Sequence, residues 1–264
     1  GNADKSEDSE KGIKAGNAIT VSGGTVNVSA YDDALHANGG ETLENGATSV
    51  GNVTVTGGTL NLYTNDDGIH GDGNVEVAGG TVRVLKSYEG LEGAVVTVSG
   101  GDVSVISSDD GLNGTGTSGE SIVISGGTLY VYAGGDGVDS NSRTSGDGLL
   151  FSGGFSVIIS YGRADSSIDT EGGYRYTGGT VIAIGLAGGM ASESTDCSPT
   201  FSTVGKSVTL NLTADSYVTV SGIASVKMPC AMNALVVVLG STSASVTKAS
   251  SATGTADSNG VIRY

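Results

Sequence analysis

Apolar and polar residues alternate in short runs along most of the chain, and the runs recur. ITVSGGTVNV (19–28), VTVTGGTLNL (53–62), VEVAGGTVRV (75–84), VTVSGGDVSV (96–105) and IVISGGTLYV (122–131) share one phrase. Each places apolar side chains five and three residues before the second glycine of a Gly-Gly pair, and two and four residues after it. A further apolar residue stands eleven after that glycine, at Leu35, Ile69, Leu91, Leu112 and Val138. Period-two alternation is the mark of half-buried strands. With the pairs at 153–154 and 178–179, successive second glycines are 34, 22, 21, 26, 27 and 25 residues apart. Repeats of this length point to a stacked or radial architecture, and they are too short for a propeller blade of roughly 40 residues. The pattern predicts an all-β repeat protein, a parallel β-helix of about seven coils. Each coil would carry three short strands, with the Gly pair at a corner where the backbone needs positive φ or close approach.

The repeats are expected to span residues 13–199. Residues 200–264 lack Gly pairs but keep strand-like runs such as Val208–Leu212, Tyr217–Val220 and Leu235–Leu239. They read as further irregular coils or a β-cap on the same solenoid, because a stack must cover its last core. Residues 1–12, GNADKSEDSEKG, read as a mobile polar lead-in.

Composition narrows the function. Gly is 46 of 264 residues without a G-X-Y period, which excludes collagen. A formal charge of −16 and no basic stripe argue against nucleic acid and suit cationic partners. No run of about 20 apolar residues exists to span a membrane. The chain starts at Gly1 without Met, so an export or lipid-anchoring signal would lie upstream. Cys197 and Cys230 form either one disulfide or two buried thiols.

The acids follow the repeat. Nine residues after the second glycine stand Asp33, Asp67, Glu89, Asp110 and Asp136. One residue earlier stand Asp32, Asp66 and Asp109, with Tyr88 and Gly135 in the other two units. Twelve after it stand His36, His70, Glu92, Asn113 and Asp139. A sixth, shifted unit offers Asp165 and Asp169. Strands lie about 4.8 Å apart, so stacked carboxylates repel unless something sits between them. Two readings follow. The acids cap backbone N–H groups at turns, or they supply oxygen ligands to hard cations between coils. Doubled acids on successive coils favour the cation. Ca²⁺ suits the set better than Mg²⁺, with its tight octahedron, or Zn²⁺, which wants more His or Cys. His36 and His70 are expected one above the other, as polar surface residues with no catalytic role.

The recurring [IV]-x-[VI]-x-G-G-T-[VL]-x-[VL] followed by D-D-G-[IL]-[HN] resembles a group of bacterial secreted or surface β-helix proteins. These are described as carbohydrate-binding domain-containing or polysaccharide-lyase-like. ITVSGGTVNVSAYDDALHA (19–37) and VTVTGGTLNLYTNDDGIHGDG (53–73) carry the likeness best, within residues 12–190. The resemblance implies a right-handed, pectin-lyase-like β-helix, secreted or on the bacterial cell surface. It also implies Ca²⁺ held by Asp32, Asp33, Asp66, Asp67, Glu89, Asp109, Asp110, Asp136 and Asp139, and binding of a cellulose- or pectin-like polysaccharide.

The first expectation of function is therefore a non-catalytic, Ca²⁺-binding polysaccharide binder, a monomer. With no Trp, its sugar platforms would be Tyr63, Tyr132 and Tyr88, with Tyr31, Tyr130 and Tyr161 nearby. Ordinary strand packing is the alternative for these rings, since Leu85, Ile106, Ile159 and Ile184 share the Tyr63 column. The second expectation is a Ca²⁺-dependent lyase on uronates, in which Lys86, ahead of Arg83 and Arg163, would be the base. The third is a structural adhesin or spacer with no glycan specificity.

Overall fold

The computed structural model describes residues 10–188 and 197–264. The first nine residues of the expected lead-in, and the stretch 189–196, lie outside the described residues. Strands form where the apolar alternation runs, and their inward side chains, such as Val53, Val55, Leu60 and Leu62, are fully buried. Each such Val or Leu contributes roughly 1.5–3 kcal/mol on burial, so the period-two pattern drives the fold.

The expectation of a parallel β-helix repeat protein does not hold. The hydrogen-bonded pairing closes into an eight-stranded, all-parallel barrel. From Asn52–Tyr63 the ring passes through Val75–Val77, Val96–Val98 and Ile122–Ile124 to Leu149–Ser160. It returns through Thr128–Ala133, Asp102–Ser107 and Thr81–Ser87. The physical reason lies in two strands of 12 residues, Asn52–Tyr63 and Leu149–Ser160. Both run through their Gly-Gly pair instead of stopping there. One half bonds to strands that precede the Gly pairs and the other half to strands that follow them, so the two series are joined at both ends. At Gly58, φ is +90°, and an added Cβ would lie 2.7 Å from the carbonyl carbon of Gly23 on the adjoining strand. Only glycine lets the paired backbones pass that closely.

Two strands flank the ring in parallel, Ala18–Ser29 on Asn52–Tyr63 and Tyr174–Leu186 on Leu149–Ser160. A separate seven-stranded parallel sheet is built from three-residue strands. Its Leu35, Ile69, Leu91, Leu112, Val138 and Ile168 pair in register and join the same buried core. A two-stranded hairpin, Gly39–Thr42 with Thr48–Val50, occupies the longest excursion between units.

The long parallel strands end at Tyr174–Leu186, on which only the two-residue strand Cys197–Ser198 still pairs in parallel among the described residues. Met232–Leu239 and Gly205–Leu212 add to that edge antiparallel. Tyr217–Val220, Ala224–Lys227, Val246–Ala249 and Val261–Arg263 make a four-stranded antiparallel sheet. A second core joins them to the outer face of the late barrel strands through Tyr130, Val157, Ile159, Ile182 and Ile184. Cys197 and Cys230 are free, half-buried thiols.

Candidate functional site

The three-residue strands place the ladder. Each alternates an inward aliphatic residue, an outward polar one and an inward small residue. The outward positions pair one to the next in the order Lys14, His36, His70, Glu92, Asn113, Asp139 and Asp169. The turn before each strand carries the second row of acids, and here the carboxylates cap. Asp33 Oδ1 accepts the Asp67 N–H at 3.1 Å, and Asp67 Oδ1 accepts the Glu89 N–H at 3.3 Å. Asp110 Oδ1 accepts the Asp136 N–H at 2.8 Å, and Asp136 Oδ1 accepts the Ser166 N–H at 2.6 Å. Glu89, one methylene longer, accepts from Asn113 Nδ2 at 3.0 Å instead.

Electrostatically the ladder has two halves. In the first, cations are supplied by side chains. The ammonium of Lys11 bonds Asp33 and lies 3.3 Å from Asp32 Oδ1. Burial opposes the charge of Asp33, but His36 and Lys11 outweigh it and hold its pKa at about 2. His70 Nδ1 lies 3.0 Å from Asp67 and 2.8 Å from Glu92. Burial disfavours its charge as well, yet these two carboxylates push its pKa up to about 10. In the second half, no Lys, Arg or His faces the acids among the described residues. Burial, reinforced by neighbouring carboxylates, raises Glu89 to about 8, Asp110 to about 6, and Asp136 and Asp139 to about 7.

Not all of the ligands expected from sequence converge. Asp32, Asp33 and Asp66 bring oxygens within 4.8 Å of one another. Asp67 does so with His70 and Glu92, and Asp33 with His36 and His70. Glu89, Asp109, Asp110, Asp136 and Asp139 complete no such group of three among the described residues. The candidate set drawn from sequence left out His36, His70 and Glu92, which the structure brings into these groups. Their shared position, twelve after the second glycine, was the available signal. The two rings stack at 4.4 Å with 5° between their planes.

The tyrosines divide. Tyr63 is 48% exposed, with Lys86 Nζ 5.4 Å above its ring. Lys86 also donates to Asn65 Oδ1 at 2.5 Å. Across the barrel strands, Tyr63 pairs with Lys86 and Ile106 pairs with Tyr132, which makes one outward row with Leu85 between. Tyr132 leans on Tyr161, with ring centroids 4.7 Å apart. The row then runs into Ile159 and Ile184, buried within the second core. Packing accounts for that end of the column and exposure for the other. Tyr130 faces the second core and offers no ring to solvent. Tyr88 is exposed, and its hydroxyl bonds Asp109, which lifts its pKa to about 12. Of the other candidate bases, Arg83 lies 3.8 Å from Asp102, and Arg163 lines a cleft of ≈ 600 Å³ with Tyr161, Leu186, Cys230, Ala231 and Met232.

Residues 1–52 and 41–90 match the model of a family described as carbohydrate-binding domain-containing protein. The match covers the first 90 of 264 residues, including Tyr63, Tyr88 and the ladder from Lys11 to Glu89. No curated protein and no solved structure matches the chain. No helix among the described residues is long and apolar enough to cross a membrane.

Proposed function

We propose that the chain is a secreted or cell-surface protein that binds polysaccharide without cleaving it and holds Ca²⁺ in the oxygen-only half of its ladder. The observation that carries the binding is the outward row of Tyr63, Leu85, Ile106 and Tyr132, exposed at Tyr63 and backed by Tyr161 at the far end. Sugar rings present C–H faces that pack on aromatic and aliphatic surface, and tyrosine adds a hydroxyl at the rim. Tyr63 and Tyr132 stand three strand spacings apart, roughly 14 Å, the reach of an oligosaccharide rather than a single sugar. Asn65 and Lys86 supply polar groups beside the first ring.

The calcium part rests on the resemblance and on donor chemistry. Ca²⁺ takes six to eight oxygens at about 2.3–2.6 Å. Glu89, Asp110, Asp136 and Asp139 offer oxygens alone but form no group of three, so backbone carbonyls and water would complete the shell; at the converging Asp32, Asp33 and Asp66, Lys11 already neutralises Asp32 and Asp33. Because Asp110 and Asp136 also cap the next unit's N–H groups, bound Ca²⁺ would stiffen the structure rather than take part in chemistry. The lyase alternative has no observation of its own, since Lys86 is engaged by Asn65 and Tyr63.

The test is affinity electrophoresis in gels containing soluble cellulose derivatives or polygalacturonate, with Ca²⁺ and with chelator. Tyr63→Ala and Tyr132→Ala are each expected to weaken binding about tenfold, or about 1.4 kcal/mol, with far-UV circular dichroism unchanged. Equal retardation of both variants and the parent, or retardation by no polysaccharide, would overturn the reading.

A further inference from the structure

The strongest unassigned constellation surrounds His70. Its Nδ1 meets two carboxylates at once, Asp67 Oδ2 at 3.0 Å from its own unit and Glu92 Oε2 at 2.8 Å from the next strand. A ring nitrogen carries one proton, so a proton there can bond fully to only one of the two. A divalent ion can bond to all three. Donors at right angles to tetrahedral angles around an ion with bonds of about 2.0–2.2 Å lie about 3.0–3.5 Å apart. The observed separations need open by only a few tenths of an ångström.

A second observation points the same way. The other ring nitrogen, Nε2, faces Asp72 Oδ1 at 3.2 Å. Metal-binding histidines characteristically donate their remaining N–H to a carboxylate, which fixes the tautomer and the ring plane. The parallel ring of His36, 4.4 Å away, holds that plane from the other side, and it too has Nε2 directed at Asp72, at 3.5 Å. All these side chains are wholly or partly withdrawn from solvent, with 9% of the Asp67 side chain, 22% of His70 and 20% of Glu92 exposed.

We propose that Asp67, His70 and Glu92 bind one divalent first-row transition ion of the zinc class, with Asp72 as the outer partner of the histidine. An imidazole among carboxylates selects borderline ions such as Zn²⁺ over Ca²⁺, which prefers oxygen alone. The ion would tie the turn and strand of one unit to the strand of the next. It is independent of glycan binding and of calcium in the other half of the ladder.

The experiment is calorimetric titration of chelator-stripped full-length protein with zinc chloride, alongside the absorption spectrum of the cobalt(II)-loaded protein. One saturable site is expected, weakened at least about tenfold by His70→Gln and by Glu92→Gln and unchanged by Asp102→Asn, an exposed acid outside the ladder. Co²⁺ should show visible bands that His70→Gln abolishes. If His70→Gln fails to fold by circular dichroism, the Glu92→Gln titration and the Co²⁺ spectrum of the parent decide. Absence of binding, binding indifferent to both variants, or displacement of Zn²⁺ by excess Ca²⁺ would each overturn the proposal.

Discussion

In cation-free buffer the protein is expected to be most stable at about pH 4 and to lose about 5 kcal/mol by about pH 8. Four half-buried carboxyls drive this. Glu89 titrates at about 8 in the fold, Asp110 at about 6, and Asp136 and Asp139 at about 7, against ordinary values of 4.5 for Glu and 3.8 for Asp. A carboxyl whose folded pKa is raised binds its proton more tightly in the native state. Its contribution is intact below the unfolded value and is lost as pH rises through the folded one. At 1.36 kcal/mol per unit, each group alone would cost about 3–5 kcal/mol. All four are partly open to solvent and compete with one another, so the net effect is well below their sum. His70, raised to about 10, acts in the same direction, since its stabilisation fades between 6.5 and that value. Asp33, held at about 2, opposes them only below about pH 4. At about 2–4 °C per kcal/mol, the melting temperature should fall by about 10 °C or more between about pH 4 and pH 8. Scanning calorimetry in chelator at unit pH steps measures it, and Asp139→Asn should raise the melting temperature at pH 8. On the proposed function, millimolar Ca²⁺ at pH 8 recovers much of the loss. A profile that is flat or rises with pH would mean that the acids are compensated by contacts other than those described.

Part of this was open to inspection in the sequence. The all-β character follows from alternation, and the inward column Leu35, Ile69, Leu91, Leu112, Val138 needs only a constant offset from the Gly pairs, because buried positions must repeat with the strands. Closure of the barrel was not legible. Whether a strand stops at a Gly-Gly pair or runs through it depends on backbone torsion and on the partners across the ladder. VTVTGGTLNL, which runs through, reads almost like VEVAGGTVRV, which does not. Tyr130 and Tyr132 were likewise indistinguishable in sequence, since the C-terminal strands that bury one and half-bury the other lie about a hundred residues away. In the ladder, spacing located every acid. It could not show that Lys11, outside the repeated phrase, reaches Asp33, or that two carboxylates share one nitrogen of His70.

Replacing Gly90 by alanine is expected to destabilise the protein by about 3 kcal/mol or more, whereas Gly23→Ala should stay within about 0.5 kcal/mol of the parent. A Cβ on Gly90 would lie 2.2 Å from the carbonyl oxygen of Gly111 and 2.3 Å from Val105 Cγ1. Neither can retreat. The Gly111 carbonyl accepts the Leu91 N–H at 3.1 Å, and the Gly90 N–H itself donates to the Asp110 carbonyl at 2.9 Å, so the two units are fastened on both sides of the clash. Val105 is fully buried in a close-packed core. Gly23 lies on the flanking strand Ala18–Ser29, and a Cβ there meets nothing within 4 Å. Its replacement removes only unfolded-chain freedom, a small gain if anything. The contrast explains why glycine follows the acid in NDDGIH, SYEGLE and SDDGLN. An added Cβ at Gly68, Gly90 or Gly111 would lie 2.6, 2.2 or 2.4 Å from the next unit's carbonyl oxygen, whereas Ala34 takes the same place in YDDALH although Asp33 caps there as well. Thermal unfolding followed by circular dichroism should place Gly90→Ala about 6–12 °C below the parent. A loss under about 1 kcal/mol would show that the units slide apart easily, and the close register that brings Asp67, His70 and Glu92 together would then not be rigid.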